Sequence, residues 1–60
     1  MKSITVHFVP ELEQEPEVFT SSVDAIGYAT PDNDDTYRVW VGKRTTVYPA
    51  QRVLKIETNL

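Results

Sequence analysis

The chain has 60 residues, with six lysines and arginines, nine aspartates and glutamates, and no cysteine. A chain of this length forms a single domain (1–60) and buries only about 60 % of the surface that its unfolded form exposes. The absence of cysteine excludes disulfide bonds and thiolate metal ligands, and it favours a reducing compartment. Because the N-terminal apolar run is too short for a signal peptide, we predict a soluble, cytoplasmic protein.

The charges are divided unevenly along the chain. Residues 1–35 contain eight acidic residues and one lysine, a net charge of −7, whereas residues 36–60 contain five basic residues and one glutamate, a net charge of +4. Such asymmetry indicates either a charged partner or two halves that neutralise each other when they fold together.

The first strand is the clearest element of the sequence. Ile4, Val6 and Phe8 alternate with polar residues, and Pro10 ends the run because proline cannot donate to a central ladder. His7 falls on the polar side of this strand. A single histidine with no further ligand at a metal-binding spacing is expected to be a surface residue, and no metal or other cofactor is predicted.

Two acidic loops follow. The first, residues 10–16, lies between two prolines, and the second, residues 30–35, begins with a proline-led turn. The second loop lacks the glycine and the closing glutamate of a calcium loop, so we do not predict calcium binding. Both loops are either solvated connectors or surfaces that present carboxylates to a basic partner, in which case the candidate residues are Glu11, Glu13, Glu15, Asp32, Asp34 and Asp35.

The segment between the loops has two interpretations. Phe19, Val23 and Ile26 have helical spacing, and this allows an α+β fold with one short helix near residues 16–26 packed on an antiparallel sheet. The β-branched and aromatic residues favour a strand instead. We predict a strand that enters the sheet from Val23 or Ala25 onward, with Gly27 marking a bulge or a close backbone approach.

The next strands form a hairpin with its turn at Gly42, which suits the first central position of a type II′ turn. A two-residue loop would pair Val39 with Thr46. A longer loop that includes Arg44 would pair Val39 with Val47 and would keep the apolar residues on one face, so we predict the longer loop.

The chain then enters a single tight turn, Pro49-Ala50-Gln51, which we predict to be a 3₁₀ turn. A strand follows, in which we expect Leu54 and Ile56 to point inward. The run Tyr48-Pro49-Ala50-Gln51-Arg52-Val53-Leu54-Lys55-Ile56 resembles the end of an SH3-like barrel, where a strand leads into a proline-led 3₁₀ turn and a closing strand. The resemblance implies an all-β fold, a small SH3-like barrel of about five strands. It does not imply a groove for proline-rich peptides, because the Ala-Leu-Tyr-Asp-Tyr opening of signalling SH3 domains is missing.

For function, we predict a small non-catalytic protein-binding module. Trp, Tyr and Arg dominate binding hot spots, and we expect Trp40 to face outward with Arg38 and Tyr48 on the same face. In length and composition the chain resembles phage-encoded inhibitors of host proteins. The basic and aromatic candidates for a binding site are Arg38, Trp40, Lys43, Arg44, Tyr48 and Arg52.

Other functions remain open. The same basic and aromatic residues would suit a nucleic-acid-binding barrel, because they combine phosphate neutralisation with base stacking. The acidic loops would suit a DNA mimic, and exposed strand edges would allow homo-oligomers. An enzyme is not expected, since the chain has one histidine, no cysteine and only two glycines, fifteen residues apart.

Overall fold

The computed structural model describes all residues, 1–60, and contains six β-strands and two three-residue 3₁₀ turns. The strands are β1 (Lys2–Phe8), β2 (Glu17–Ser21), β3 (Ile26–Ala29), β4 (Thr36–Val41), β5 (Arg44–Pro49) and β6 (Val53–Asn59). The first 3₁₀ turn is Pro10–Leu12 and the second is Ala50–Arg52.

The strands form two antiparallel sheets of three strands each. Sheet 1 has the order β2-β1-β6, and sheet 2 has the order β3-β4-β5. The predicted all-β class is therefore confirmed, and the alternative with a helix near residues 16–26 is wrong. The chain has six strands rather than about five, and the two sheets do not close into a barrel.

The core lies between the two sheets. Ile4 and Val6 of β1 are completely buried, as their alternation with polar residues predicts. Sheet 2 contributes Val39 and Tyr48 to the core, and the Tyr48 ring packs edge-on against Phe8 with ring centroids 5.5 Å apart. Edge-to-face packing of this kind adds to the stabilisation from burial alone.

The segment after the first acidic loop is a strand from Glu17 onward, earlier than predicted. Phe19 packs against the core while Val18 and Thr20 are exposed, which is the two-residue period of a strand. The strand is interrupted at residues 22–25, where the Ser21 hydroxyl accepts a hydrogen bond from the Asp24 N–H (2.8 Å). Of the two predicted entry points, Val23 is wrong, because it lies in this turn and is 90 % exposed, whereas Ala25 directly precedes β3.

The hairpin between β4 and β5 has a two-residue loop. Val41 pairs with Arg44 and Val39 pairs with Thr46, so the longer loop that we predicted is wrong. Gly42 has a φ of 61°, as the first central residue of a type II′ turn requires. In this register Val47 is exposed and Tyr48 takes the inward position.

The closing strand contains a bulge. Lys55 pairs with His7 and Val53 pairs with Phe8, so Leu54 is an extra residue without a partner. A bulge of this kind shifts the alternation of inward and outward side chains. Val53 is consequently buried and Leu54 exposed, so the prediction of an inward Leu54 is wrong, whereas Ile56 packs against the core as expected. The predicted 3₁₀ turn after Pro49 is confirmed.

Candidate functional site: the acidic end

The two acidic loops are both connected to the second 3₁₀ turn, at one end of the molecule. The N–H of Val9, just before the first loop, donates to the carbonyl oxygen of Arg52 (2.9 Å), and the N–H of Ala50 donates to the carbonyl oxygen of Asp35 in the second loop (3.0 Å). The second 3₁₀ turn, only three residues long, therefore holds both loops. We call the surface formed by residues 10–17, 30–38 and 50–52 the acidic end.

Most of the carboxylates at the acidic end take part in no ion pair. Seven acidic residues and two arginines, Arg38 and Arg52, give it a net charge of −5. All six predicted acidic candidates are exposed, and only Asp34 forms an ion pair. The five exposed carboxylates that take part in no ion pair are Glu11, Glu13, Glu15, Asp32 and Asp35.

Asp34 and Arg38 form the exception. Nη2 of Arg38 donates to Oδ2 of Asp34, which lies four residues earlier in the chain. The neighbouring Thr36 side chain, together with the charge of Arg38, holds the pKa of Asp34 below its ordinary value. Arg38 is therefore a basic residue already paired within the chain.

Glu17 belongs to the acidic end but forms a hydrogen bond with a core residue. The Tyr48 hydroxyl donates to Oε2 of Glu17 (3.0 Å), and burial raises the pKa of Tyr48, with the hydrogen bond and the negative charge of Glu17 acting in the same direction. Sequence reasoning missed this partner. Two signals were available: Glu17 is in phase with inward-facing Phe19, and a buried tyrosine hydroxyl usually has a hydrogen-bond partner.

The predicted basic and aromatic face is not formed as expected. Trp40 and Arg38 lie on the outer face of sheet 2, but Tyr48 lies on the inner face and is only 7 % exposed, so the prediction that the three share a face is wrong. The physical reason is the shorter hairpin loop, because a one-residue change of register moves every side chain to the other face.

The Trp40 indole covers a glycine. A Cβ atom built on Gly27, its cross-strand neighbour, would lie 2.7 Å from Cζ2 of the indole ring. Gly27 thus marks a close approach, one of the two outcomes that the sequence predicted. The approach is between a side chain and a backbone, and it leaves Trp40 only half-buried.

The remaining basic candidates are dispersed. Arg52 is exposed at the acidic end, whereas Lys43 and Arg44 lie at the hairpin turn. That turn adjoins residues 22–25, because the Gly42 N–H donates to the carbonyl oxygen of Ala25 (2.7 Å). We call the surface formed by residues 1–2, 22–25 and 42–44, at the other end of the strands, the opposite end.

No pocket is detected in the surface, and no three His, Cys, Asp or Glu side chains come together in a way that could hold a metal ion. The structure has no helix with the length and apolar character needed to cross a membrane. Comparison of the chain with protein-family models, with curated proteins and with solved structures finds no match. The candidate site is therefore defined by its own geometry and charge.

Proposed function

We propose that the protein is a small non-catalytic protein-binding module that docks its acidic end on a basic surface of a partner protein. The observation that carries this proposal is the position of two acidic loops, far apart in sequence, on either side of one 3₁₀ turn. Five exposed carboxylates on this surface have no basic partner within the chain. A surface of one sign of charge attracts partners of the opposite sign and speeds their association.

The distribution of ion pairs supports a role outside the chain. Folding could have neutralised the acidic half against the basic half, but only the Asp34–Arg38 pair joins a carboxylate of residues 1–35 to a basic residue of residues 36–60. Like charges gathered without compensation oppose folding. A binding role gives a reason for keeping them.

The proposal also includes the assignment of the chain to the SH3-like domains. The proline-led 3₁₀ turn lies between β5 and the last strand, and that strand pairs with β1. This arrangement supports an SH3-like domain. An acidic docking surface on such a domain suits a cytoplasmic inhibitor or regulator of a host protein, as phage-encoded inhibitors are, including one that imitates DNA on a nucleic-acid-binding protein.

The nucleic-acid-binding alternative has less support. Of its six candidate residues, Tyr48 is buried, Arg38 is paired with Asp34, and Arg52 lies among carboxylates. Lys43 and Arg44 lie at the opposite end. Phosphate neutralisation needs several unpaired basic residues along one groove, and the dispersed arrangement does not provide them.

Site-specific photo-crosslinking tests the proposal. A photoreactive amino acid replaces Gln14 in the first acidic loop, and the matched control carries it at Thr5 on the outer face of sheet 1. In lysate of the source cells, we expect a discrete protein adduct from position 14 only, weakened by the substitutions Glu11→Gln, Glu13→Gln and Glu15→Gln and by high salt. Equal adducts from both positions would contradict the proposal.

The same protein is titrated with a labelled single-stranded DNA while fluorescence anisotropy is recorded. We expect no binding to the DNA whose affinity decreases as the salt concentration rises. A salt-sensitive affinity that is lost in a Lys43→Gln, Arg44→Gln variant would favour the nucleic-acid alternative instead.

A further inference from the structure

The longest strand edge of the molecule is free. Strand β6 lies at the edge of sheet 1 and pairs only with β1. The Val53 N–H donates to the carbonyl oxygen of Ala50. The backbone hydrogen bonds outside the regular strands involve none of the residues 54–59, so the outward N–H and C=O groups of these residues have no partner in the chain. An edge of seven residues without proline or glycine is a template for pairing with another strand.

The order of charges along β6 is complementary to that of a second, antiparallel copy of the strand. When two antiparallel copies pair around a two-fold axis at Ile56, each Lys55 lies directly opposite Glu57 of the other copy. Opposite charges at directly opposed positions stabilise a strand pair, and like charges destabilise it. A two-fold axis creates this contact twice, because each copy contributes the same surface.

The other free edges lack this property. β5 has basic but no acidic residues and ends at Pro49, which cannot donate a backbone hydrogen bond. β2 is five residues long with Glu17 as its single charge, and β3 has four residues and no charge. Only β6 combines length with charges of both signs in a self-complementary order.

The charge distribution of the whole molecule favours the same arrangement. β6 begins beside the acidic end and finishes beside the opposite end, where Asn59 pairs with Ser3 of β1. Antiparallel pairing of β6 therefore separates the two acidic ends and places each one alongside the partner's opposite end. That end carries Lys2, Lys43 and Arg44 with a single carboxylate, Asp24.

We propose that the protein forms a two-fold dimer in which the β6 strands of two copies pair antiparallel around Ile56 and join the two copies of sheet 1 into one six-stranded sheet. The paired edges form about six backbone hydrogen bonds. The paired strands contain no residue of the acidic end, so the loss of the dimer and the loss of partner docking can be measured separately.

Charge-swap variants test this register. Lys55→Glu places glutamate opposite glutamate at both contacts, and Glu57→Lys places lysine opposite lysine. We expect each single variant to dimerise about tenfold or more weakly than the wild type in sedimentation experiments across concentrations. An equimolar mixture of the two variants restores opposite charges at both contacts, and we expect it to form a heterodimer.

The mixture also controls for folding, because a variant that had unfolded would not be rescued by the other. The double variant Lys55→Glu, Glu57→Lys should dimerise like the wild type. Thr45→Glu, on the free edge of β5, is the matched control and should leave dimerisation unchanged. A wild-type chain that stays monomeric up to millimolar concentration overturns the proposal, and so does a dimer that Lys55→Glu does not weaken.

Discussion

Tyr48 and Glu17 form the one hydrogen bond between side chains that connects the two sheets. The bond joins β5 to the start of β2, directly after the first acidic loop. A buried hydroxyl that donates to a carboxylate contributes about 1–2 kcal/mol, and removing the donor leaves a half-buried carboxylate unpaired. In a core of six buried side chains, such a bond is a substantial part of the total stability.

The raised pKa of Tyr48 predicts a loss of stability at alkaline pH. Above about pH 10, the tyrosine of the unfolded chain releases its proton while the folded chain retains it. The folded state then binds more protons than the unfolded state, so the free energy of unfolding falls as the pH rises. We expect Tyr48→Phe to destabilise the protein by about 1 kcal/mol at pH 7 and to reduce this alkaline loss in urea unfolding between pH 8 and 11.

The matched control is Tyr28→Phe, because Tyr28 is 38 % exposed and donates no hydrogen bond to a carboxylate. The two variants should differ increasingly in their pH dependence above pH 10. Parallel pH profiles for the two variants would show that the buried bond is not the cause.

At the scale of elements, the sequence predicts strands well where a two-residue period is clear. β1 follows its alternation residue by residue, and the proline-led turn before β6 is where the sequence places it. Local turn chemistry also pointed to the correct hairpin. Gly42 suited a two-residue loop, but counting apolar residues on one face favoured a longer one. The count failed because Tyr48, rather than Val47, fills the core.

The bulge opposite β1 could not be predicted, for a related reason. Leu54 is as apolar as Val53, and nothing in the run of residues marks which of the two is extra. The choice depends on the pairing with Phe8, a contact between distant parts of the chain. For the acidic loops as well, one property can be predicted from the sequence and another cannot. Their charge is evident from the sequence, whereas their meeting at one end depends on the topology.

The hairpin turn provides a test at this scale. At Gly42, an L-alanine must adopt a φ of 61°, whereas its Cβ would be only in ordinary contact with Asp24, 3.5 Å away. The cost is therefore conformational, and we expect Gly42→Ala to lower the free energy of unfolding by about 1–2 kcal/mol. A chain of 60 residues is accessible to chemical synthesis, and D-alanine at position 42 is the matched control.

D-alanine favours positive φ and adds a methyl group of the same size on the other side of Cα, so it should retain or raise the stability of the wild type in thermal unfolding. If both alanine enantiomers destabilise the protein equally, the methyl group itself is responsible and the turn does not control the register. Restoration by the D form alone confirms the role of the positive φ.

At the scale of the whole molecule, the separation of charge should oppose folding. The acidic end carries a net charge of −5 within a body whose radius of gyration is 11.4 Å. The screening length is about 10 Å at 0.1 M salt and about 30 Å at 0.01 M, so the carboxylates of the acidic end repel one another most strongly at low salt. The proposed binding role would account for an arrangement of charges that opposes folding.

Neutralising carboxylates of the acidic end should stabilise the fold and weaken the proposed docking. The substitutions Glu11→Gln, Glu13→Gln and Glu15→Gln remove three unpaired charges, and we expect them to raise the free energy of unfolding at 10 mM salt by at most about 0.5 kcal/mol each. The gain should disappear at 0.5 M salt, where the repulsion is screened. Lys43→Gln, at the opposite end, removes an attractive charge, so we expect it to lower the free energy of unfolding at low salt. Urea titrations measure both changes. A triple variant that is less stable than the wild type at low salt would mean that these glutamates stabilise the fold, and a binding role would then no longer be needed to explain them.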